Sequence, residues 1–332
     1  MTPGPFQIAL TYDVERNSPP FIRSSGKVYS GLDLMPEVLG IMRSHGAPGT
    51  WYIAHDIDEE NQIARQFPSL VAEMAGQGEI GSHFHFREFA KVRTDEAFQR
   101  QGVGEATRFL RSLGHQVTGF RGGNLFMNPS LFSLLGELGY ETDSSVLPGQ
   151  RVTMHDGLRI DHSGRRSCEP YYPVDGDPWS AGGRGILEIP LTAYPAVSLQ
   201  TPLLSILINF LLLISNLVLV NPDEALARLQ KVRAKWPTGN AVIMLSTHPH
   251  DFLGGRLTVE TKMRNFDQFL GAVRAIPGMK FATAADIRAG WVSPDQARCE
   301  PRDRALLKVT TSDVRRVRQM LRRPSPAPHT DG

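Results

Sequence analysis

Five short stretches hold most of the side chains in this chain that could do chemistry. They are Thr11-Tyr12-Asp13-Val14-Glu15, Gly81-Ser82-His83-Phe84-His85, Phe120-Arg121-Gly122-Gly123, Thr142-Asp143-Ser144 and Leu245-Ser246-Thr247-His248-Pro249-His250. Residues two apart on a strand point to the same side, so Asp13 can share a face with Glu15, and His83 with His85. Metal-assisted hydrolysis of an amide or ester needs such a set. It takes nitrogen or oxygen ligands with an open position for water, a base for the water's proton and an acid for the leaving group. The small residues before His83, in Glu79-Ile80-Gly81-Ser82, would let backbone and metal approach closely.

Each stretch sits where an apolar run ends, and those runs define the scaffold. Strands are expected over Phe6 to Tyr12, Thr50 to Ala54, Glu79 to His83, Gln116 to Arg121, Glu141 to Ser144, Gly185 to Ile189, Ala241 to Ser246 and Lys280 to Ala282. Stretches of helical period alternate with them, the pattern of an α/β protein with a largely parallel sheet. Leu32 to Arg43 is one such helix, and Asn128-Pro129 and Asn221-Pro222 start two others, Asn as cap and Pro in the first turn. About eight strands close a small barrel. In a parallel barrel the strand ends share one face, so residues distant in sequence converge there.

Composition narrows the function classes. With 41% hydrophobic and 21% charged residues over 332 positions, the chain can bury one large core. A net charge of +2 gives no reason to expect a nucleic-acid partner. Two cysteines, Cys168 and Cys299, support neither a disulfide framework nor a thiolate zinc site, which fits a cytoplasmic setting. Met1 to Pro5 leads straight into the first strand, so no secretion signal is expected. Three regions interrupt the alternation: a Gly-, Pro- and Tyr-rich excursion over 148–184, an apolar run over 201–220, and a basic tail over 300–332 that follows a barrel over 1–290.

Taken in order, the motifs resemble those of the polysaccharide deacetylases with a NodB-homology domain, over about Phe6 to Ile287. The resemblance implies a distorted (β/α) barrel, which the runs above give about seven to eight mostly parallel strands, a long loop and an apolar helical insertion. Tyr12-Asp13-Val14-Glu15 is similar to the family's first motif, an Asp pair, in a spaced form; by that match Asp13 is the catalytic base and Glu15 a metal ligand. His83 matches the His that follows a Glu-x-Gly-x lead-in. The family's second His, four residues on, falls on Arg87, and His85 is the nearest substitute ligand. Phe120-Arg121 resembles the third motif, in which Arg121 orients the base through a charged hydrogen bond, with Gly123 where the family has Pro. Leu138 to Ser145 resembles the helix and strand that follow and places at Asp143 the carboxylate that tunes the acid, without the family's Trp. Val242 to Pro249 resembles the fifth motif and makes His248 the general acid. The implied activity is hydrolytic removal of an acetyl group from a sugar or glycan precursor with a divalent metal ion, zinc as the first expectation. Two alternatives stand beside it. One is an amidohydrolase acting on a non-sugar C–N bond; the other, opened by Glu15 and Arg87, is a non-catalytic glycan-binding or membrane-associated relative.

The apolar run Thr201 to Val220 is long enough to span a bilayer. Its place between two strands of one barrel argues against spanning, and leaves a buried helix, an oligomer contact or an in-plane membrane helix. Arg228, Lys231, Arg233 and Lys235 follow closely, and the tail carries Arg315, Arg316, Arg318, Arg322 and Arg323. Basic amphipathic helices of this kind suit an anionic membrane surface. The expectation is a peripheral enzyme on the cytoplasmic face acting on a lipid-linked sugar. Pro324 to Gly332 is expected to be disordered.

Overall fold

All eight apolar runs form strands, joined in one parallel sheet: β1 (Phe6–Val14), β2 (Gly49–Ala54), β3 (Gly78–Phe84), β4 (Gly119–Gly122), β5 (Thr142–Asp143), β6 (Leu187–Glu188), β7 (Val242–Thr247) and β8 (Met279–Phe281). The computed structural model describes residues 6–18, 22, 25–86, 95–148, 151–153, 159–162, 165, 168–192, 214–235 and 242–291. The order is β6-β5-β4-β3-β2-β1-β7, with β8 also paired to β1. Between β6 and β7, among the described residues, Thr192 makes the link: the Thr192 N–H donates to Met244 O at 3.0 Å, and the Met244 N–H to Thr192 Oγ1 at 3.0 Å. A ring closed by one residue instead of a full ladder is a distorted barrel.

Helices between the strands begin where local chemistry satisfies their free N–H groups. Helix α1 is Met35–Ser44, α2 Pro68–Ala75, α3 Glu96–Ser112, α4 Pro129–Glu137, α5 Ile214–Val220, α6 Pro222–Lys235, α7 Val259–Arg274 and α8 Ala284–Gly290. Asn128 Oδ1 accepts from the Leu131 N–H at 2.7 Å and Asn221 Oδ1 from the Glu224 N–H at 3.2 Å, so both Asn-Pro pairs start helices. Asp95 caps α3, and Thr283 with Asp286 forms a capping box on α8.

Strand alternation sorts side chains between two apolar layers. On β1, Ile8, Leu10, Tyr12 and Val14 pack with the helices, while Ala9 joins Leu187, Ile189, Val242 and Met244 in a second cluster inside the curl. Phe84 and Phe120 lie in the outer layer. The parity that sends them outward sends Asp13, His83 and Arg121 inward. The register sets His83 beside Arg121 and Asp13 beside Tyr52.

The interruptions differ in part from expectation. The 148–184 excursion contains two antiparallel ribbons, Arg151–Thr153 with Arg159–Asp161 and Pro173–Val174 with Asp177–Ala181, and docks on β6 where Tyr171 and Glu188 exchange backbone hydrogen bonds. Of the apolar run, 201–213 lies outside the described residues. Its last third is α5, whose Val218 and Leu219 are buried in the outer layer and whose Val220 is exposed. Two of the basic residues assigned to a membrane face are engaged within the protein. Arg228 is buried and paired with Glu224 at 2.9 Å, and Arg233 donates to Pro277 O at 2.9 Å. Among the described residues no helix is long and apolar enough to cross a membrane. The basic tail and Arg87 lie outside the described residues.

Candidate metal-binding and catalytic site

At the carboxyl ends of β1, β3, β4 and β7, side chains from five distant segments meet. Arg121, with no exposed surface, organises them. Its Nη1 donates to Asp13 Oδ1 at 2.7 Å and to Ser246 Oγ at 3.1 Å, Nε to Ser144 O at 2.9 Å and Nη2 to Ser144 Oγ at 2.9 Å. The guanidinium also lies 4.3 Å from the Tyr52 ring centroid. A buried cation costs several kcal/mol unless it is paired and hydrogen-bonded, and here every donor edge is used. Burial alone would raise the Asp13 pKa, but Arg121, His83 and His248 outweigh it and hold the carboxylate below its ordinary range.

Glu15, His83 and His85 form a second group, with one donor atom from each within 4.8 Å of the others. What lies behind each ring decides which nitrogen faces the group. His83 Nδ1 donates to Arg121 O at 2.9 Å, which leaves Nε2 for the site. His85 Nδ1 lies 2.9 Å from Asp56 Oδ2, and its Nε2 lies 2.9 Å from Glu15 Oε2. The rings stand nearly perpendicular, with centroids 4.6 Å apart. Burial favours neutral His83, pushed down to about 4. On His85 burial works in the same direction, but Asp56 and Glu15 overcome it and raise the ring to about 10. Burial would raise Glu15 as well; His85, aided by His248 and His83, brings it far below the usual carboxylate range.

His248 completes the site. Its Nε2 is 3.6 Å from Asp13 Oδ2 and 3.7 Å from Glu15 Oε1, while Nδ1 is 3.3 Å from Asp251 Oδ2. Asp251 also accepts the His248 backbone N–H at 2.7 Å, which fixes the pair at the start of a short 3-10 turn, Pro249–Phe252. Against the cost of burial, Asp251 and the site carboxylates raise His248 to about 9. His250 stacks on His248 with centroids 4.8 Å apart.

The donor set suits a divalent cation. Asp13, Glu15, Asp56 and Asp251 all keep lowered pKa values, whereas among the described residues Arg121 is the one guanidinium bonded to any of them. Protons on His85 and His248 balance part of that surplus. A cation held by Glu15 and two imidazole Nε2 atoms would do the same. The contacts at Nδ1 of His83 and His85 already direct Nε2 of each ring towards Glu15.

Two sequence assignments take different places. Asp143 bonds with Ser145 Oγ at 2.6 Å and pairs with Glu188. Burial, then each carboxyl's effect on the other, raises Glu188, and burial raises Asp143, so the pair keeps a proton. The carboxylate against His248 is Asp251. The small residue at Gly81 serves packing: a Cβ there would fall 2.6 Å from Tyr52 Cδ1. Asp56 and Asp251 were absent from the sequence reading. Asp56 follows the end of β2, a strand end like the others, and Asp251 stands three residues after His248, the spacing of a capping residue.

Residues 2–142 match the family model described as polysaccharide deacetylase. Over these residues the chain is similar to that family. Members of the polysaccharide deacetylase family are hydrolytic deacetylases acting on C–N bonds. The match covers Asp13, Glu15, His83, His85 and Arg121 and ends before Asp143 and His248. Among solved structures, a Mycobacterium smegmatis protein classed with the polysaccharide deacetylases is 21% identical, with a TM-score of 0.57 over 87% of this chain and 91% of that one. The 4-alpha-glucanotransferase of Thermococcus litoralis is 14% identical, with a TM-score of 0.54 over 87% of this chain and 41% of that one. At these identities both report on the fold alone, and both support the distorted barrel. No curated protein matches the chain.

Proposed function

We propose that the protein is a metal-dependent hydrolase that removes an acetyl group from a sugar, with Glu15, His83 and His85 as ligands of a divalent cation, zinc first among them. The observation that carries this reading is the pair of imidazoles whose Nδ1 atoms are engaged by Arg121 O and Asp56, so that both Nε2 atoms face the Glu15 carboxylate. When bound, the cation supplies electrophilic polarisation of the acetyl group and of the attacking water.

The remaining work falls to side chains of this chain. Asp13, held at Oδ1 by Arg121, presents Oδ2, on the side of His248, to take a proton from the water that adds to the acetyl carbonyl. The new C–O bond forms as that proton reaches Asp13. The C–N bond of an N-acetyl group, or the C–O bond of an O-acetyl group, then breaks. His248 Nε2–H delivers a proton to the departing atom, with Asp251 stabilising the imidazolium on its far side. Acetate and a free amine or hydroxyl result. Asp13→Asn should abolish turnover while metal content stays at one ion per chain, and His83→Ala should lose both. Normal activity in either variant would refute the assignments.

The finer setting rests on sequence. The apolar run over 201–220 and the basic tail favour a lipid-linked glycan met at a membrane surface, although α5 and the engagement of Arg228 and Arg233 remove part of that surface. Co-sedimentation of the full chain with anionic vesicles tests this. Binding that falls with salt supports it, and a chain that stays wholly in the supernatant at low salt removes it.

A further inference from the structure

Nothing in the family's motif pattern accounts for how His85 is held, yet the structure builds a specific seat for it. Asp56 contacts it twice. Oδ1 accepts the His85 backbone N–H at 2.8 Å and Oδ2 lies 2.9 Å from Nδ1. Asp56 is in turn fixed by its own loop. Asn61 Nδ2 donates to Asp56 Oδ2 at 2.6 Å, Gln62 Nε2 donates to Asp56 O at 3.0 Å, and His55 and Gln62 pair as an antiparallel bridge. The Arg16 backbone N–H donates to Asn61 Oδ1 at 2.9 Å, tying that loop to the chain just past Glu15. Asp56 and Asn61 are both buried, so this is an interior frame.

The opposite side of the ring rests on Gly123. A Cβ at that position would lie 2.5 Å from His85 Cδ2, 2.6 Å from Cγ and 2.7 Å from Cα, which no side chain could occupy without moving the imidazole. The ring is therefore gripped between a carboxylate at Nδ1 and a bare backbone at its carbon edge. Asn61 Nδ2 also lies 3.4 Å from His85 Nδ1, and Nε2 lies 2.9 Å from Glu15 Oε2.

We infer that Asp56 is the positioning residue of the metal site, which, with Gly123 as a steric floor, fixes His85 as the second nitrogen ligand. The inference rests on the metal reading proposed above. A carboxylate on the outer nitrogen sets the tautomer and raises the basicity of the inner one, and loss of such a partner typically weakens metal binding by about 10- to 100-fold.

The test uses the full chain and measures Zn2+ affinity by competition with a chromophoric chelator, together with the absorption spectrum of the Co2+ form. Asp56→Asn is expected to bind Zn2+ about 10- to 100-fold more weakly and to alter the Co2+ spectrum. Gly123→Ala should weaken binding in the same direction. In a His85→Ala background neither substitution should cause further loss, a coupling that a merely structural role would not produce. Should Asp56→Asn fail to fold, Asn61→Ala, which frees Asp56 to swing, should weaken binding several-fold. Asp56→Asn with a lower Tm but unchanged affinity and spectrum would overturn the inference while leaving the metal reading intact. A wild-type chain that binds neither ion would overturn the metal reading and this inference with it.

Discussion

His83, His85 and His248 are chemically one residue type held in two charge states by what lies behind each ring. A backbone carbonyl leaves buried His83 neutral, whereas carboxylates keep His85 and His248 protonated in spite of burial. Neutral His83 is ready to ligate and protonated His248 to deliver a proton, whereas His85 must give up its Nε2 proton to the cation proposed to replace it. Asp251→Asn should therefore lower kcat by about tenfold or more through His248, while His248→Ala should cost about 10²- to 10⁴-fold, the usual contribution of a general acid. Equal kcat in Asp251→Asn and wild type would remove Asp251 from the mechanism. Asp13, Glu15, His83, Arg121 and His248 were legible because each stands at the end of an apolar run, where a parallel barrel gathers its chemistry. Asp56 was not, since its strand end carries no paired motif. At Asp143 the carboxyl is turned towards Glu188, which a one-dimensional match cannot tell from one facing His248.

At the scale of elements, alternation along β1 explains why strand existence could be read so fully. Ile8, Leu10 and Tyr12 face the helices while Ala9, Thr11 and Asp13 face the curl, and a single slip in register would bury Asp13 among the helices. The excursion between β5 and β6 was less legible, as its ribbons are short and its docking depends on buried polar contacts. One such contact is His162, whose Nδ1 accepts the Leu147 N–H at 3.1 Å. Burial pushes this ring down to about 4, opposed by Asp161. The unfolded chain takes up its proton near pH 6.5. Stability from this group is thus complete above about pH 6.5 and is lost as pH falls towards 4. Urea denaturation across that window should show a steeper loss in the wild type than in His162→Asn, and parallel curves would contradict the assignment. A second element-level prediction concerns α8: Thr283→Ala removes the cap that accepts the Asp286 N–H at 3.1 Å and should cost about 1 kcal/mol in the same assay.

Across the whole molecule, the site and the closure of the barrel are one structure. Arg121 on β4 bonds with Asp13 on β1, Ser144 after β5 and Ser246 on β7, so the charge network that orients the base also fastens strands from both halves of the curl. Arg121→Ala would leave Asp13 buried without its hydrogen-bonded guanidinium, and should cost about 3–5 kcal/mol of stability besides activity. Unchanged stability in that variant would mean that the network is dispensable to the fold. The central claim is that this network serves a cation. Metal content of the purified chain, measured together with acetate release from a panel of acetylated sugars before and after chelation, tests it most directly. The account predicts one divalent ion per chain, with acetate release that chelation stops and added zinc restores; a chain that releases acetate while metal-free would contradict it.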